Sequence, residues 1–381
     1  MQSFFYDFMI FLDKSKKVYF IGLVLLFCSC NSKNTKTKYF DKKKSITKYS
    51  KHLAIYEKEE GVYIHITHPE IKNKIYRYFI PIKQKDYSTE YQKIKTPINS
   101  MIVFSSTHIG MLSELNKTEA IKGVVSKKYV YNKNVIKEIE NKKIIEFGEE
   151  NQPSFEKIIS SNAKLIMYSG FTDDFPKSNH LRKLGVYCIP NFDWKEPHPL
   201  GKVEWILLFG YLTGSEKTAK KYVKKVTQKY NHLKNIASKS KTSKTVFSGN
   251  LVGEHWWAPG GNSYKARLFK DAKCEYRYQK NRKKGSISMR FEKILIDNKN
   301  TNYWFNPGFK DKKLIRQNNP KSIHFESFKN NNIFCYSHDK NKFWEESASH
   351  PDYVLADLIQ ILHPEINLNR DLYFYKNINE K

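Results

Sequence analysis

PHPLGKVEWILLFGYLTGSEKTAKKYVKKVTQKYNHLKNIA, residues 197–237, decides how the rest of the chain is read. Its second half has the period of one long helix. Ala219, Tyr222, Val223, Val226, Tyr230, Leu233 and Ile236 recur at steps of three and four and share a face. Lys217, Lys220, Lys221, Lys224, Lys225 and Lys229 fill the remainder. With Ser215 as N-cap, the spacing predicts a helix from Glu216 to Ile236, roughly 30 Å long at 1.5 Å per residue. A shorter apolar helix, Lys202 to Leu212, precedes it, and Gly214 separates the two.

On either side of this helix the chain repeats itself. Phe155-Glu156-Lys157-Ile158 precedes a strand-like run ending at Tyr168. Phe291-Glu292-Lys293-Ile294 precedes another at the same offset, ending at Trp304-Phe305. Each copy has a β-branched run upstream, Met101–Phe104 or Thr245–Phe247, that opens on a polar loop. Strand and helix alternate from residue 101 to 190, the pattern of a parallel α/β lobe. The expected architecture is therefore α/β: two similar lobes with central, mostly parallel sheets, joined by one long helix, with a ligand cleft between them. Residues 51–198 form the first lobe, led by a β-hairpin over 52–85; 199–240 are linker helices; 241–381 form the second lobe.

In parallel sheets, ligands sit beyond the carboxyl ends of the strands. This selects the loops 105–108, 169–174 and 191–196 in the first lobe, and 249–264 with the segment after Trp304 in the second. From them come the candidate ligand-binding residues Ser106, Phe171, Trp194, Trp256, Trp257, Tyr264 and Trp304. Aromatic walls with few polar anchors suit a bulky, partly apolar ligand. Trp256 and Trp257, read as loop residues among glycines, fit a binding wall, with core packing as the alternative.

The chain of 381 residues is 40% hydrophobic and 15% aromatic, enough for real cores, and carries a formal charge of +29. Such charge fits nucleic acid, anionic ligands or an anionic membrane surface. It equally fits a bias toward Lys, Asn and Ile on solvated faces. The lysines are evenly spread and no nucleic-acid signature accompanies them, so nucleic acid is not expected as a partner.

Near the N-terminus, Lys14, Lys16 and Lys17 precede ten apolar residues, Val18–Phe27, and then Cys28-Ser29-Cys30. This is too short to span a bilayer and fits a secretory signal. It resembles a bacterial lipoprotein signal over residues 1–30 in which Cys30 becomes the lipidated residue; a short uncleaved anchor is the alternative. Either places the body outside the cytoplasm, lipid-anchored on the periplasmic side in the first case. Residues 31–50 are polar and Lys-rich and read as a tether. Cys188, Cys274 and Cys335 are widely spaced, odd in number and without C-x-x-C, so free buried thiols are expected rather than a zinc site or a disulfide framework. His65 and His68 fall on opposite faces of a strand, so a shared metal is not expected there.

Several stretches resemble the periplasmic substrate-binding lipoproteins of ABC importers for ferric siderophores and cobalamin, the class with a single-helix hinge. They are Asn151–Ile158, Pro199–Trp205 (PLGKVEW), Trp257–Tyr264 (WAPGGNSY), Pro351–Ile359 and His363-Pro364-Glu365. Lys202 stands where that branch carries Arg. The resemblance covers roughly residues 50–375. It implies a monomer that holds a small-molecule metal chelate, most simply a ferric one, between its lobes, has no resident cofactor, and docks on a permease dimer. Glu156 and Glu292 match the family's two docking carboxylates; both also suit the first turn of a helix. Alternatives are cobalamin, haem or a bare metal ion as ligand, the last drawing on His108, His180, His198 and His255, or a structural surface lipoprotein. No G-x-S-x-G, H-E-x-x-H or phosphate loop is present, so an enzyme is not expected.

Overall fold

The computed structural model describes residues 41–82, 90–148, 150, 152–171, 174–336 and 342–378. It opens with a small sheet. β1 (Leu53–Lys58), β2 (Gly61–Thr67) and β3 (Ile75–Pro81) are antiparallel, and β4 (Gln92–Lys93) adds in parallel to β3. The hairpin expected over 52–85 is thus part of a larger sheet.

The first parallel sheet follows: β5 (Met101–Val103), β6 (Ile121–Val124), β7 (Ile145–Glu146), β8 (Leu165–Tyr168) and β9 (Tyr187–Pro190), in the order β7-β6-β5-β8-β9. All its pairings are parallel. Met101, Ile102 and Val103 are all buried, as expected of a central strand covered on both faces. The covering helices are α1 (Ser106–Glu114), α2 (Lys133–Glu140), α3 (Phe155–Ser160) and α4 (Ser178–Lys183). Ser154 caps α3 as its position before FEKI predicts, accepting from Lys157 N at 3.5 Å.

The crossover consists of α5 (Pro199–Val203), α6 (Trp205–Thr213) and α7 (Glu216–Ser238). The expected Lys202–Leu212 helix is two pieces that meet at Glu204. Gly214 ends α6 at φ 68°, a left-handed conformation that favours glycine. Ser215 occupies the N-cap of α7 without a capping bond. Ala219 packs in the first-lobe core, whereas Val226, Tyr230 and Ala237 pack in the second. One amphipathic face thus serves both cores. Farther along, Asp271 accepts from the Tyr230 hydroxyl at 2.9 Å and pairs with Lys234 at 3.1 Å, fixing α7 to the second lobe.

The second lobe contains β10 (Thr245–Ser248), β11 (Asn250–Val252), β12 (His255–Pro259), α8 (Tyr264–Asp271), β13 (Glu275–Tyr276), β14 (Ser286–Arg290), α9 (Phe291–Asn298), β15 (Tyr303–Phe305), α10 (Lys312–Asn318), α11 (Glu326–Lys329), β16 (Ile333–Tyr336), α12 (Phe343–Glu346), α13 (Pro351–Leu362) and β17 (Tyr375–Asn377). Its main sheet has the order β13-β10-β15-β16-β17, parallel except for β17. The expected two-lobed α/β architecture, with mostly parallel sheets joined by a long helix, is what the chain adopts. One local expectation fails. Residues 249–264 are not a loop: β11, β12 and β14 form a separate antiparallel sheet.

The tether expectation fails for residues 41–50, the part of it that is described. Ser45, Thr47 and Ser50 are buried. The Ser45 and Thr47 hydroxyls meet at 2.8 Å and also serve the backbone of β1. Glu204 accepts from the backbone N–H groups of Lys48, Tyr49 and Ser50 at 2.7–2.9 Å. Glu196 accepts from Lys51 N, His52 N, the Ser50 hydroxyl and Trp205 Nε1. Two buried carboxylates, one on the crossover and one just ahead of it, therefore seat this segment. Cys30 and the apolar run before it lie outside the described residues. Among the described residues, no helix is long and apolar enough to cross a membrane.

Candidate functional site

In both parallel sheets the chain leaves the central strand first to one side and then to the other, a topological switch at β5 and at β10. The carboxyl end of such a strand opens a crevice. Each lobe has a cavity there.

The first-lobe cavity, about 370 Å³, is lined among others by Ser105, Ser106, Ser126, Tyr129, Glu150, Ser169, Phe171 and Trp194. Ser105 caps α1 by accepting from Thr107 N at 3.3 Å, which brings Ser106 to the cavity wall. Trp194 is held by its Nε1, which donates to Ser169 O at 2.7 Å. Phe171 lies against it, ring centroids 4.8 Å apart. Phe171 is 71% exposed and Trp194 37%, so this aromatic pair faces solvent at the cavity rim. Glu150 accepts from Ser169 N at 2.6 Å, and burial pushes its carboxyl above the usual range.

The second-lobe cavity, about 360 Å³, is lined among others by Ser248, Gly249, Asn250, Trp257, Lys265, Asn306, Tyr336 and Trp344. Strand alternation decides which tryptophan reaches it. On β12 the side chains of Trp256 and Trp257 point to opposite faces. Trp257 is 45% exposed and lines the cavity. Trp256 is buried against Phe247, Phe291, Trp304 and Phe325, its Nε1 donating to Ser248 O at 3.3 Å. Trp304 lies in the same core, its Nε1 donating to Gly249 O at 2.9 Å. Gly249 has φ 111°, and a Cβ there would stand 1.9 Å from Trp257 O. The backbone can only cross here without a side chain.

Trp344, which the sequence reading does not select, is the second exposed indole on this wall, 46% exposed and edge-on to Tyr336 at 5.4 Å. It sits on α12, which also touches the first lobe. Glu345, the next residue, accepts from Tyr131 N at 2.8 Å and Asn132 N at 3.1 Å, beside Tyr129 and Val130 of the first cavity. The two cavities are therefore linked through α12.

They are also linked through the start of the crossover. Asp193 is buried, one oxygen 3.4 Å from the hydroxyl of Thr107, the residue after Ser106 on α1, and the other without a partner among the described residues. Lys202 on α5 feels its charge. The Lys202 ammonium lies 4.6 Å from the ring centre of Tyr264, which opens α8 in the second lobe. The Tyr264 hydroxyl is buried without a hydrogen-bond partner. Tyr264 is thus near the junction of the two lobes and is not in the wall of either cavity described above.

Of the sequence-predicted ligand residues, Ser106, Phe171 and Trp194 gather in the first cavity and Trp257 stands in the second. Tyr264 is at the junction, and Trp256 and Trp304 belong to the second-lobe core. Glu156 and Glu292 lie apart from both cavities, exposed in the first turns of α3 and α9. The four histidines do not converge. His108 is buried with neither ring nitrogen partnered, His198 caps α5, and His180 and His255 are exposed. Among the described residues, no three His, Cys, Asp or Glu are grouped to hold a metal ion. Cys188, Cys274 and Cys335 are free, and burial pushes the Cys188 thiol up to about 12 and the Cys335 thiol up to about 11.

Comparison with known proteins agrees with this geometry. The sequence profile described as periplasmic binding protein matches residues 102–335. An uncharacterized lipoprotein of Methanocaldococcus jannaschii is 28% identical, over 88% of this chain and 86% of its own length. A second uncharacterized protein of that organism is 24% identical, over 76% and 90%. Among solved structures, a possible iron-binding (periplasmic solute-binding) protein of Staphylococcus epidermidis superposes with TM-score 0.54 at 18% identity, covering 70% of this chain and 99% of the other. The triscatecholate siderophore binding protein of Bacillus subtilis, complexed with ferri-bacillibactin, gives 0.53 at 18%, covering 74% and 99%. The molybdate periplasmic binding protein of Haemophilus influenzae gives 0.56 at 15%, covering 73% and 90%. These likenesses extend the shared fold over both lobes. With the profile match across the two sheets and the helix between them, the chain belongs to the periplasmic binding protein family, the substrate-binding proteins of ABC importers rather than enzymes.

Proposed function

We propose that this protein captures an iron chelate of the ferric siderophore type between its lobes and delivers it to the permease dimer of an ABC importer. In this reading it works as a monomer on the extracytoplasmic side of the membrane, anchored by lipid on Cys30. The observation that carries the proposal is the pairing of the two cavities. Each lies at the carboxyl end of a switch-point strand, and each presents exposed aromatics, Phe171 and Trp194 in one and Trp257 and Trp344 in the other. A chelate has the size and mixed polarity that such walls accommodate. The iron-binding and ferri-bacillibactin-binding proteins that share the fold support a chelated metal as cargo. Glu156 and Glu292, held on separate lobes, supply two carboxylates for arginines of the permease.

A tryptophan-fluorescence titration of the full chain in detergent tests this. The probes are ferric catecholates, ferric hydroxamates, ferric citrate, haem, cobalamin and free zinc. Saturable quenching by a ferric chelate at micromolar concentration or below, weakened at least tenfold in Trp194→Ala and Trp257→Ala, is the expected result. Saturation by zinc alone reassigns the protein to metal-ion capture. If nothing binds, the transport reading falls and a structural surface lipoprotein takes its place.

A further inference from the structure

Two basic runs far apart in sequence meet on one flank of the fold. The first is Lys42, Lys43, Lys44, Lys48 and Lys51; the second is Lys280, Arg282, Lys283 and Lys284. All are exposed. Lys51 and Lys284, one from each run, line a further cavity of about 370 Å³ together with Arg267 and Lys270. This cavity has no carboxylate in its lining and shares no residue with the two strand-end cavities.

Both runs are held by their backbone, which leaves the side chains to solvent. Glu196 and Glu204 seat residues 48–52, and Lys42 Nζ donates to Lys51 O at 3.0 Å. The second run lies on residues 260–262. Gly260 N donates to Gly285 O at 2.8 Å, Asn262 N to Lys283 O at 3.1 Å and Asn262 Nδ2 to Arg282 O at 2.9 Å. A Cβ on Gly261 would stand 2.3 Å from Asn281 O, so the approach needs glycine. His52 registers the convergence of the runs. Burial, helped by the charges of Lys284, Lys42 and Lys51 and opposed by the Thr67 carbonyl, holds its imidazole down at about 4.

Among the described residues, none of Lys42, Lys51, Lys270 and Lys284 has a carboxylate within 4.0 Å. Asp271 is committed to Arg267, Lys234 and Tyr230. Asp41, at the start of the first run, accepts from Lys43 N and is outnumbered. Chain length says what lies close to this flank. From Asp41 back to Cys30, the residue lipidated in the proposed function, the chain spans at most about 40 Å. A leaflet anchored through Cys30 is within reach of these charges. Cations clustered within a Debye length, about 10 Å at 0.1 M salt, act together on an anionic surface.

We infer that this flank is a landing surface for the headgroup phosphates of anionic lipids and lays the body against the leaflet in which it is anchored. The inference rests on the anchored reading proposed above and goes beyond it. The lipid fixes one end of the chain, and the two basic runs fix which face meets the membrane.

The test is amine acetylation of the full chain reconstituted into vesicles, read lysine by lysine by mass spectrometry. The vesicles are phosphatidylcholine alone, or phosphatidylcholine with about 30% phosphatidylglycerol, at about 0.1 M and 1 M salt, where the Debye length falls from about 10 Å to about 3 Å. Lys42, Lys51, Lys270 and Lys284 should be protected at least threefold in the anionic vesicles at low salt, and the protection should vanish at high salt. Lys217 and Lys221, exposed on the long helix, should react equally in both vesicles. In the variant Lys51→Glu/Lys284→Glu, protection of Lys42 and Lys270 should disappear. Equal protection of all these lysines, protection of the long helix instead, or no difference between the vesicles overturns the inference. Protection by millimolar inorganic phosphate in phosphatidylcholine vesicles also overturns it, in favour of a soluble anion. Flotation with phosphatidylcholine alone reads the anchor separately. Failure there with protection in anionic vesicles retires the anchor and keeps the surface. The labelling of the unmodified chain decides the matter if the double variant does not fold.

Discussion

Gly110 and Glu345 are in backbone contact: a Cβ on Gly110 would stand 2.0 Å from the Glu345 carbonyl oxygen. Helices α1 and α12 cross at this point, one from each end of the described chain. Glu345 in turn caps Tyr131 and Asn132, and His350 meets Glu114 at 3.0 Å close by. The contact is a clamp between the lobes with no space for even a methyl group.

Gly110→Ala should therefore destabilise the protein by about 1–3 kcal/mol, the usual cost of overpacking. Because Trp344 precedes Glu345, the same change should also loosen the second-lobe cavity wall. Chemical denaturation measures the first effect and ligand titration the second. A variant as stable as wild type would remove the clamp.

Trp256 and Trp257 should separate stability from binding. Trp256→Ala opens a hole among Phe247, Phe291, Trp304 and Phe325 and should cost about 3–5 kcal/mol. Trp257→Ala removes an indole that is 45% exposed and should cost less than about 1 kcal/mol. In the proposed function the second variant, not the first, is the one that loses ligand while keeping its melting temperature. Equal costs in the two variants would contradict the assignment of faces.

His108 gives a pH signature. Burial pushes its imidazole down to about 3, and neither ring nitrogen has a partner. A group whose folded pKa is depressed contributes stability above its unfolded value, near 6.5, and loses it as pH falls toward the folded value. His52, His65 and His198, each pushed down to about 4 by burial first, act in the same direction. Buried carboxylates such as Glu204 and Asp357, raised chiefly by burial, act in the opposite direction. The measurement is therefore a difference. Between pH 6.5 and 4, wild type should lose roughly 2–3 kcal/mol more than His108→Phe. Parallel stability curves would show that His108 does not titrate with unfolding.

Glu156→Lys and Glu292→Lys test docking. Both side chains are exposed, and among the described residues Glu292 has one ion-pair partner, Lys321 at 4.0 Å. Neither substitution should move the melting temperature by more than about 0.5 kcal/mol equivalent. Ligand affinity should stay unchanged while uptake in cells drops at least tenfold, more in the double variant. Normal uptake in the double variant would dissociate these carboxylates from the permease.

The long helix was legible because its apolar period runs unbroken from Ala219 to Leu233, and the two sheets were legible because β-branched runs alternate with capped helices. The small sheet at 250–290 was not. Glycines and a Gly253-Glu254 turn hide two short strands, and the alternation that turns Trp256 inward is only a few residues long. Trp344 lies far in sequence from the other cavity residues, and nothing local marks it. Lys265, which lines the second-lobe cavity, is one of 67 lysines and arginines. The sequence reading noticed Lys202 as a replacement for Arg, but its place over the Tyr264 ring is a property of the folded junction.

Glu204 holds residues 48–50 to the crossover, while Glu196, just ahead of it, holds residues 50–52, and Ser45 and Thr47 tie the same segment to β1. Any pull transmitted along the chain from upstream arrives where the first lobe meets the element that both halves share. It passes through the carboxylate-held backbone into α5 and α6 on one side and into β1 on the other. In the lipid-anchored form proposed above, the point of attachment is therefore a buried, carboxylate-held seam and not a loose end of the body.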